Sequence, residues 1–312
     1  MAKLITGVAG FIGSSIARRL LETGEKVIGI DCFIDYYPRS IKEKNLEQLK
    51  SCASFQFIEK NIVDLDFQTI LQNVDGVFHQ AAQAGVRASW GKDFEIYTKN
   101  NILATQKLLE AVKGRDIKVV YASSSSVYGE TKKIPMNEDD LPRPVSPYGV
   151  SKLAAEHLCR LYWKNFNVHT VSLRYFTVYG PRQRPDMAFH RFLKAIMTGG
   201  TIELYGDGKQ TRDFTFISDA VKANLSAMHK GKPGEVYNIG GGSNVSVNQT
   251  IEIMEKILER KAKVNRMERQ KGDVTHTSAN TSKAAEDLGY SPETELEEGL
   301  AREAEWLEKY IL

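Results

Sequence analysis

The chain has 312 residues, and 42% of them are hydrophobic, enough to bury a sizeable core in one large domain or two modest ones. Its 42 basic residues are scattered among 39 acidic ones for a formal net charge of +3, so the composition gives no indication of nucleic-acid binding. No run of about 18 apolar residues could span a membrane, and the first residues lack the layout of a signal peptide. We therefore expect a cytoplasmic protein that binds neither nucleic acid nor membrane.

The number and spacing of the cysteines bear on two structural features, disulfide bonds and zinc sites. Cys32, Cys52 and Cys159 form no C-x-x-C pair, and their number is odd. Such a set argues against a disulfide framework and against a structural zinc site. We expect reduced thiols, in keeping with a cytoplasmic location, and we predict no metal site.

Short runs of β-branched residues alternate with helical patterns along the first part of the chain. The strand candidates lie at residues 3–6, 26–30, 55–59, 76–80, 117–122 and 169–175. Segments between them, such as SSIARRLLETG and NILATQKLLEAVKG, have helical periodicity. The alternation predicts an α/β fold with right-handed crossovers and a doubly wound parallel sheet.

The pattern weakens after residue 180. Gly, Arg and Pro become frequent, the stretches GPRQRPD, YGDGKQTRD and GGGSN indicate loops, and helices are predicted near 246–260 and 296–309. We predict a first domain at residues 1–180 and a smaller α/β lobe at residues 181–312. The chain is expected to return to the first domain near residues 213–241, through VYNIGG at 236–241.

The first chemical motif is a set of spaced glycines in TGVAGFIGSSIARRL, where a strand passes into a helix. Gly7, Gly10 and Gly13 permit a tight turn and let a pyrophosphate approach N–H groups at the positive end of the helix. Asp31 ends the second strand eighteen residues after Gly13, where its carboxylate can bind an adenosine ribose and repel a 2′-phosphate. The pattern favours NAD over NADP and over the alternative of a purely structural turn.

The second motif is SPYGVSK, which places Tyr148 and Lys152 on one face of a helix. Tyrosine ordinarily keeps its proton near neutral pH, whereas a neighbouring ammonium and the positive nicotinamide ring of an oxidised cofactor favour the phenolate. A pair at this spacing is more often incidental, but here it follows a dinucleotide loop and the serine-rich stretch YASSSSVYG at 121–129. We expect Tyr148 to act as a base.

These motifs together resemble the extended short-chain dehydrogenase/reductase family, in its nucleotide-sugar epimerase and dehydratase branch. The resemblance rests on the glycine loop, the serine turn ending in VYG, the Y-x-x-x-K pair and RYFTVYGPRQRPD, and it runs from residue 3 to about 290. It implies a Rossmann-type domain that holds NAD tightly and a C-terminal lobe that binds a nucleotide diphosphate sugar.

The same resemblance implies roles for individual residues. The catalytic set is Ser124, which hydrogen-bonds the sugar 4-hydroxyl, Tyr148 as the base, and Lys152, which holds the cofactor ribose and favours the phenolate. The cofactor contacts are Gly7, Gly10, Phe11, Ile12, Gly13, Asp31, Asn61, Ile62, Ala81, Ala82, Asn100, Tyr148, Lys152 and Tyr175. Asn61 and Ile62 occupy the positions of the family's Asp-Ile pair. Asn61 keeps a side-chain oxygen that can accept a hydrogen bond, but the negative charge of the Asp is lost.

The two serines before Val-Tyr-Gly separate the reactions of this family. The family's 4,6-dehydratases resemble one another in having Asp-Glu there, and its decarboxylases tend to have Glu in the second place, whereas this chain has Ser125 and Ser126. Neutral hydroxyls can donate to a carboxylate that acidic residues would repel, so Ser125, Ser126 and Thr177 are predicted to hold the C6 carboxylate of a uronate. The alternative is that the serines only satisfy backbone groups of the turn.

Further positions are assigned to the substrate by the resemblance. Arg191 and Arg212 are predicted to bind the diphosphate, and Arg182 and Arg184 either flank the site or are solvated. The uracil contacts are Ala188 and Phe189, and the ribose or phosphate contacts are Gln210 and Asp273. The family's Arg-Pro-Gly-Asp reads Gln-Lys-Gly-Asp at 270–273, with Arg269 one place early, which leaves the second phosphate arginine open.

Three stretches, RYFTVYGPRQRPDMAFHRF, GVRASWGKDF and DCFIDYY, resemble the uronate 4-epimerases. We therefore expect 4-epimerisation of UDP-glucuronate to UDP-galacturonate with retained NAD. The alternatives are epimerisation of UDP-glucose or UDP-N-acetylglucosamine, decarboxylation of UDP-glucuronate, and a non-catalytic NAD-sensing protein. Segments 95–113 and 149–166 resemble the helices that this family pairs across a dimer axis, so a homodimer is expected.

Overall fold

The strand candidates of the sequence are members of one parallel sheet. The computed structural model describes residues 1–131 and 133–312. The strands, numbered along the chain, are β1 (Ala2–Thr6), β2 (Lys26–Asp31), β3 (Phe55–Glu59), β4 (Val74–His79), β5 (Lys118–Ser124), β6 (Thr170–Tyr175), β7 (Thr177–Tyr179), β8 (Thr201–Tyr205), β9 (Thr211–Arg212), β10 (Phe214–Phe216), β11 (Val236–Ile239), β12 (Val245–Ser246) and β13 (Lys263–Met267). Seven of them form the main sheet in the order β11-β6-β5-β4-β1-β2-β3, and all neighbours are parallel. The doubly wound sheet is thus confirmed.

Helices connect these strands and cover both faces of the sheet. They are α1 (Phe11–Glu22), α2 (Arg39–Lys50), α3 (Phe67–Ile70), α4 (Phe94–Tyr97), α5 (Ala104–Val112), α6 (Pro147–Phe166), α7 (Ala188–Thr198), α8 (Ile217–Lys230), α9 (Val247–Leu258), α10 (Ser282–Leu288) and α11 (Leu296–Tyr310). A π-helical segment at Thr98–Leu103 joins α4 to α5. Short 3₁₀ turns lie at Ile62–Asp64, Leu71–Asn73, Arg87–Ser89, Gly91–Asp93 and Ser125–Val127.

The sheet is buried on both faces because successive side chains of a strand point to opposite sides. In β1, Leu4 belongs to one buried apolar cluster with residues of α5 and α6, and Ile5 belongs to another with residues of α1 and α8. Val77 and Phe78 of β4 alternate in the same way. The short β-branched runs that identified these strands are explained by this double burial.

The C-terminal part of the chain adds a smaller layer beside the sheet. Strands β8 and β13 pair in parallel, β9 and β12 pair antiparallel, and β7 pairs with β10. Side chains of α7, α9 and α11 join the same buried cluster as Ile5 and Phe78, so the two parts share a core. The boundary at residue 180 therefore stays a prediction. Among the described residues, no helix combines the length and apolarity needed to cross a membrane.

Candidate active site

The strand order reverses between β1 and β4, because the chain builds outward through β2 and β3 on one side and through β5, β6 and β11 on the other. In open α/β sheets, ligands bind in the crevice that such a reversal leaves at the carboxyl ends of the strands. Two adjoining cavities of about 210 and 550 Å³ lie there. Every residue predicted to contact NAD lines the smaller cavity, and every residue predicted to contact the sugar nucleotide lines the larger one, together with Ser124.

Close backbone packing explains the glycines between β1 and α1. Gly7 has a φ of +71°, and a Cβ atom there would lie 2.7 Å from the backbone nitrogen of Ala81. A Cβ atom on Gly13 would lie 2.2 Å from the carbonyl oxygen of Gly7. Helix α1 begins after Gly10 without a side-chain cap, so its first N–H groups remain available at the cavity wall. An anionic group placed there would receive hydrogen bonds at the positive end of the helix.

Asp31 lies at the end of β2 and lines the smaller cavity. Its carboxylate accepts hydrogen bonds from the backbone N–H groups of Ala9, at 3.0 Å, and Phe33, at 2.9 Å. Burial raises the pKa of Asp31, and these hydrogen bonds and the charge of Lys42 oppose that rise. The carboxylate is thereby held in a fixed orientation beside the glycine loop, as ribose recognition requires.

The four consecutive serines have different surroundings because the strand ends within them. Ser123 lines both cavities, but its hydroxyl donates to the buried carboxylate of Glu156 at 2.6 Å. Ser124 caps the following 3₁₀ turn, and its hydroxyl accepts a hydrogen bond from the N–H of Ser126 at 3.1 Å. Within the described residues, the hydroxyls of Ser125 and Ser126 have no protein hydrogen-bond partner, and both side chains line the larger cavity. Ser124 is therefore the serine that satisfies the turn.

Tyr148 and Lys152 lie in the first turns of α6, which is capped by Ser146 through the N–H of Gly149 at 3.1 Å. Burial raises the pKa of Tyr148, and the pKa is lowered by a hydrogen bond with Ser124 and by the charge of Arg184. Burial also lowers the pKa of Lys152 to about 7. The Lys152 ammonium lies 4.6 Å from the ring centroid of Tyr121. Tyr148 and Lys152 thus lie one helical turn apart, and burial shifts the pKa of each in the direction that favours its neutral form.

The π-helical segment carries two asparagines, and the sequence analysis assigned a role only to the first of them. Asn100, a predicted cofactor contact, lines the smaller cavity. Asn101 is buried, accepts a hydrogen bond from the Gln83 N–H at 2.7 Å and donates to the hydroxyl of Ser151 at 2.9 Å. It therefore joins the loop after β4 to helix α6. π-Helical turns are often found at functional sites, although nothing in TKNNIL predicted one.

Two arginines without a settled role in the sequence analysis line the cleft. They are Arg184, for which two alternatives were given, and Arg87, which was assigned none. Arg184 lines both cavities and makes two hydrogen bonds of 3.0 Å with Asp186, whereas Arg182 lines neither. Arg87 lines the larger cavity and forms an ion pair of 2.7 Å with Asp273. The stretch GVRASW was a signal for Arg87, but its partner lies 186 positions away. Tyr36 closes the wall opposite, with its hydroxyl 3.4 Å from Asp186.

The predicted diphosphate arginines are already engaged by protein groups. Arg212 donates to the backbone oxygens of Thr211, Val274 and Thr275 at 2.8 to 3.2 Å. Arg191 lies 3.4 Å from Glu203. These contacts fix the side chains at the wall of the larger cavity.

Arg269 lies apart from that wall. It donates at 2.8 Å to Asp273 and Thr275, and it lines an adjoining cavity of about 380 Å³ instead of the larger one. Arg87 thus lines the larger cavity and Arg269 does not, and the identity of the second phosphate arginine stays open.

The cleft lies at a Rossmann-type switch point and carries a Ser, Tyr and Lys set. These features define the class of protein as a short-chain dehydrogenase/reductase, and comparison with known proteins identifies the family. Residues 4–303 match the family described as GDP-mannose 4,6 dehydratase. The chain belongs to this family, which confirms the resemblance to the extended short-chain dehydrogenases/reductases.

Individual relatives are similar over nearly their whole length. An uncharacterised UDP-glucose epimerase, YtcB of Bacillus subtilis, is 46% identical, with 98% of each chain covered. The UDP-glucuronate 4-epimerase of Thermodesulfobacterium geofontis is 40% identical, covering 99% of this chain and 96% of the relative. The crystal structure of the Bacillus cereus UDP-glucuronic acid 4-epimerase with UDP-glucuronic acid and NAD is 46% identical, covers 99% of both chains and has a TM-score of 0.96.

The low pKa of Lys152 makes stability depend on pH. The folded protein holds this lysine with a pKa of about 7, whereas in the unfolded chain a lysine titrates near about 10.4. Between these values the unfolded chain binds more protons, so the free energy of unfolding rises with pH, by at most about 1.4 kcal/mol per pH unit. We predict that urea denaturation of the ligand-free protein shows this rise between about pH 7 and pH 9 relative to Lys152→Met.

The control is Lys164→Met, an exposed position of the same helix. Its free energy of unfolding should follow that of the wild type over the whole pH range. A difference between wild type and Lys152→Met that is flat, or that falls with rising pH, would contradict a neutral buried lysine.

Proposed function

We propose that the protein is an NAD-dependent UDP-sugar 4-epimerase that converts UDP-glucuronate to UDP-galacturonate. The observation that carries this proposal is the hydroxyl-lined pocket beside the catalytic set. Ser125, Ser126 and Thr177 line the larger cavity together with Ser124 and Tyr148. Similarity over nearly the whole chain to UDP-glucuronate 4-epimerases, one of them solved with UDP-glucuronic acid and NAD, supports the same function.

The smaller cavity fits NAD. The uncapped N-terminus of α1 suits a pyrophosphate, and Asp31 at the end of β2 suits an adenosine ribose without a 2′-phosphate. A bound NAD would supply the hydride acceptor for C4 of the sugar and the donor for the hydride's return. Apart from Arg184, every residue that lines this cavity lies within residues 1–180, whereas the larger cavity also draws on residues 181–312. This distribution supports the proposed division into a cofactor domain and a sugar-nucleotide lobe.

The chain's own residues move the proton of the 4-hydroxyl. Ser124 hydrogen-bonds that hydroxyl and Tyr148 takes its proton, then returns it to O4 after the 4-keto sugar has rotated and turned the opposite face of C4 towards the cofactor side of the site. A phenolate at Tyr148 requires nearby positive charge. The Arg184 guanidinium lowers the pKa of Tyr148 from the cleft wall, and Lys152, one helical turn away, would add positive charge when it is protonated.

The larger cavity suits an anionic substrate. Its lining carries four guanidinium groups against three carboxylates. Each carboxylate is paired with an arginine, namely Asp186 with Arg184, Glu203 with Arg191 and Asp273 with Arg87. Arg212 is bonded to neutral backbone oxygens, so its charge is uncompensated by these pairs. A diphosphate and a uronate carboxylate therefore meet a positive wall and hydroxyl donors, with no carboxylate free to repel them.

A second candidate is epimerisation of a neutral sugar. The similarity of 46% to a relative named as a UDP-glucose epimerase favours it, and hydroxyl donors can also face a neutral hydroxymethyl group. Dehydration and decarboxylation lack the acidic residues at positions 125 and 126. A purely NAD-sensing role leaves the adjacent Ser124, Tyr148 and Lys152 without a purpose.

We expect the purified protein to convert UDP-glucuronate to UDP-galacturonate without added cofactor, followed by proton NMR of the anomeric and C4 protons. Tyr148→Phe should slow the reaction by about 10²- to 10⁴-fold, because the base is lost while the ring still fills the site. UDP-xylose or a 4-keto pentose as the product would contradict the interpretation of Ser126. Conversion of neutral UDP-sugars alone would contradict the uronate as substrate.

The carboxylate role of the hydroxyls has its own test. Ser126→Ala and Thr177→Val should each lower kcat/KM for UDP-glucuronate by about 10- to 100-fold, since a hydrogen bond to a charged group contributes about 1.5–3 kcal/mol. The value for UDP-glucose should change by less than about threefold, because that sugar places no charge there. Equal losses for both sugars would show that these hydroxyls do not recognise a carboxylate.

We also propose a homodimer that forms through the faces of α4, α5 and α6. The helices predicted at 95–113 and 149–166 are present, with the π-helical segment inside the first. Large apolar side chains are exposed along both, namely Ile96, Leu103, Val150, Leu161 and Phe166. Apolar residues concentrated on paired helices suit a self-complementary interface.

Leu161→Glu places a charge on this face and should shift the molar mass, measured by light scattering, from that of two chains to that of one. Leu141→Glu is the control, since Leu141 is 69% exposed but lies in a loop outside both helices. A wild-type protein of single-chain mass, or a Leu161→Glu variant of unchanged mass, would contradict the proposed interface.

A cytoplasmic location is proposed as well. The three cysteines form no disulfide, and Cys159 is buried as a free thiol. Free thiols suit a reducing compartment. Recovery of the native protein in the membrane or secreted fraction of cells would contradict this location.

A further inference from the structure

A buried ion pair lies directly behind the serine turn. The carboxylate of Glu156 accepts from two nitrogens of Arg174, Nη2 at 2.6 Å and Nε at 3.0 Å. Both side chains are 4% exposed. Neither residue lines the two cavities of the candidate site, so the pair does not contact cofactor or substrate. Its place in the fold nevertheless connects it to the catalytic groups.

The pair holds the serine turn at both ends. Before the turn, the Ser123 hydroxyl donates to Glu156 at 2.6 Å. After it, Arg174 Nη1 donates to the hydroxyl of Tyr128 at 2.8 Å, and that hydroxyl donates in turn to Asn238 at 2.7 Å. The four residues between these anchors are the predicted catalytic serine, the two serines of the predicted carboxylate pocket and Val127.

The same pair is also part of the helix that carries the base. Glu156 lies four residues after Lys152 and eight after Tyr148 in α6, so all three share one face. Arg174 lies in β6 immediately before Tyr175, which lines the smaller cavity. One ion pair therefore joins β5 with its turn, helix α6 and strand β6.

We propose that the Glu156–Arg174 pair is a positioning device that sets the placement of Ser124 against Tyr148 during catalysis. This inference deepens the proposed function and rests on it where turnover is measured. Catalytic groups must be held to well under about 1 Å, because a misplacement of that size can lower a rate by about 100-fold. Hydrogen bonds of fixed direction at both ends of the turn supply such a constraint.

Stability alone does not account for the pair. Removing two charges from water has a large desolvation penalty, and replacing a buried ion pair by apolar residues is often neutral or stabilising. Arg174 makes four hydrogen bonds in this network, the fourth of them to the backbone oxygen of Glu138 at 3.0 Å. The network thus defines one geometry between three elements, which an apolar core would leave less restricted.

The test loosens the turn and leaves the ion pair intact. Ser123→Ala with Tyr128→Phe removes the two hydroxyls that attach the turn, without stranding a buried charge. In the NAD-loaded protein, we expect kcat for the epimerised sugar to fall by about 10- to 100-fold, with KM changed by less than about threefold. The ultraviolet titration of Tyr148, taken as the difference from Tyr148→Phe, should move up by about one pH unit, because the hydrogen bond from Ser124 that lowers its pKa is weakened.

The matched control is Ser172→Ala with Tyr290→Phe. It also removes a buried serine hydroxyl and a buried tyrosine hydroxyl, the latter bonded to the Gly240 oxygen at 2.8 Å, but neither touches the turn. We expect a similar fall in Tm with unchanged kcat and an unchanged Tyr148 titration. If the Ser123/Tyr128 variant behaved like this control, the positioning role would be overturned. The titration needs no sugar, so it judges this inference even if UDP-glucuronate proves not to be the substrate.

Discussion

The reversal of strand order between β1 and β4 is the constraint on which the rest of the molecule depends. Parallel strands on either side of the reversal send their connections in opposite directions, and a crevice opens at their carboxyl ends. The glycine loop, the serine turn and the start of α6 all face this crevice, although Gly7 and Tyr148 are far apart in sequence. Burial of both sheet faces fixes the strands firmly enough for these loops to keep their positions.

Burial and charge act together on the catalytic groups. Burial raises the pKa of Tyr148 and lowers that of Lys152, so it disfavours charge on both residues. A positively charged ring entering the smaller cavity would favour the phenolate, and the paired arginines of the larger cavity already offset its carboxylates. Cofactor and substrate thus complete an electrostatic arrangement that the protein holds only in part.

The sequence predicted the features that depend on local pattern. The strands, the glycine loop, Asp31 and the Tyr148 and Lys152 pair follow from periodicity and short spacings, and the structure brings them together. Contacts between distant segments could not be read in this way, as with Arg87, whose ion-pair partner comes from the far end of the chain. The hydrogen-bond partners of the four consecutive serines could not be predicted from residue type either. The strand pleat and the turn decide which hydroxyl bonds to the core and which caps the turn.

The π-helical segment at Thr98–Leu103 has a consequence for how the chain can evolve. Its wider turn contains one residue more than a regular helix needs, and each residue of an α-helix turns the chain by about 100°. Loss of a single residue here would restore an ordinary helix and rotate everything before it, carrying Asn100 away from the cavity that it lines. Natural variation in this segment should therefore consist of substitutions, while insertions and deletions accumulate in the surface loops around it.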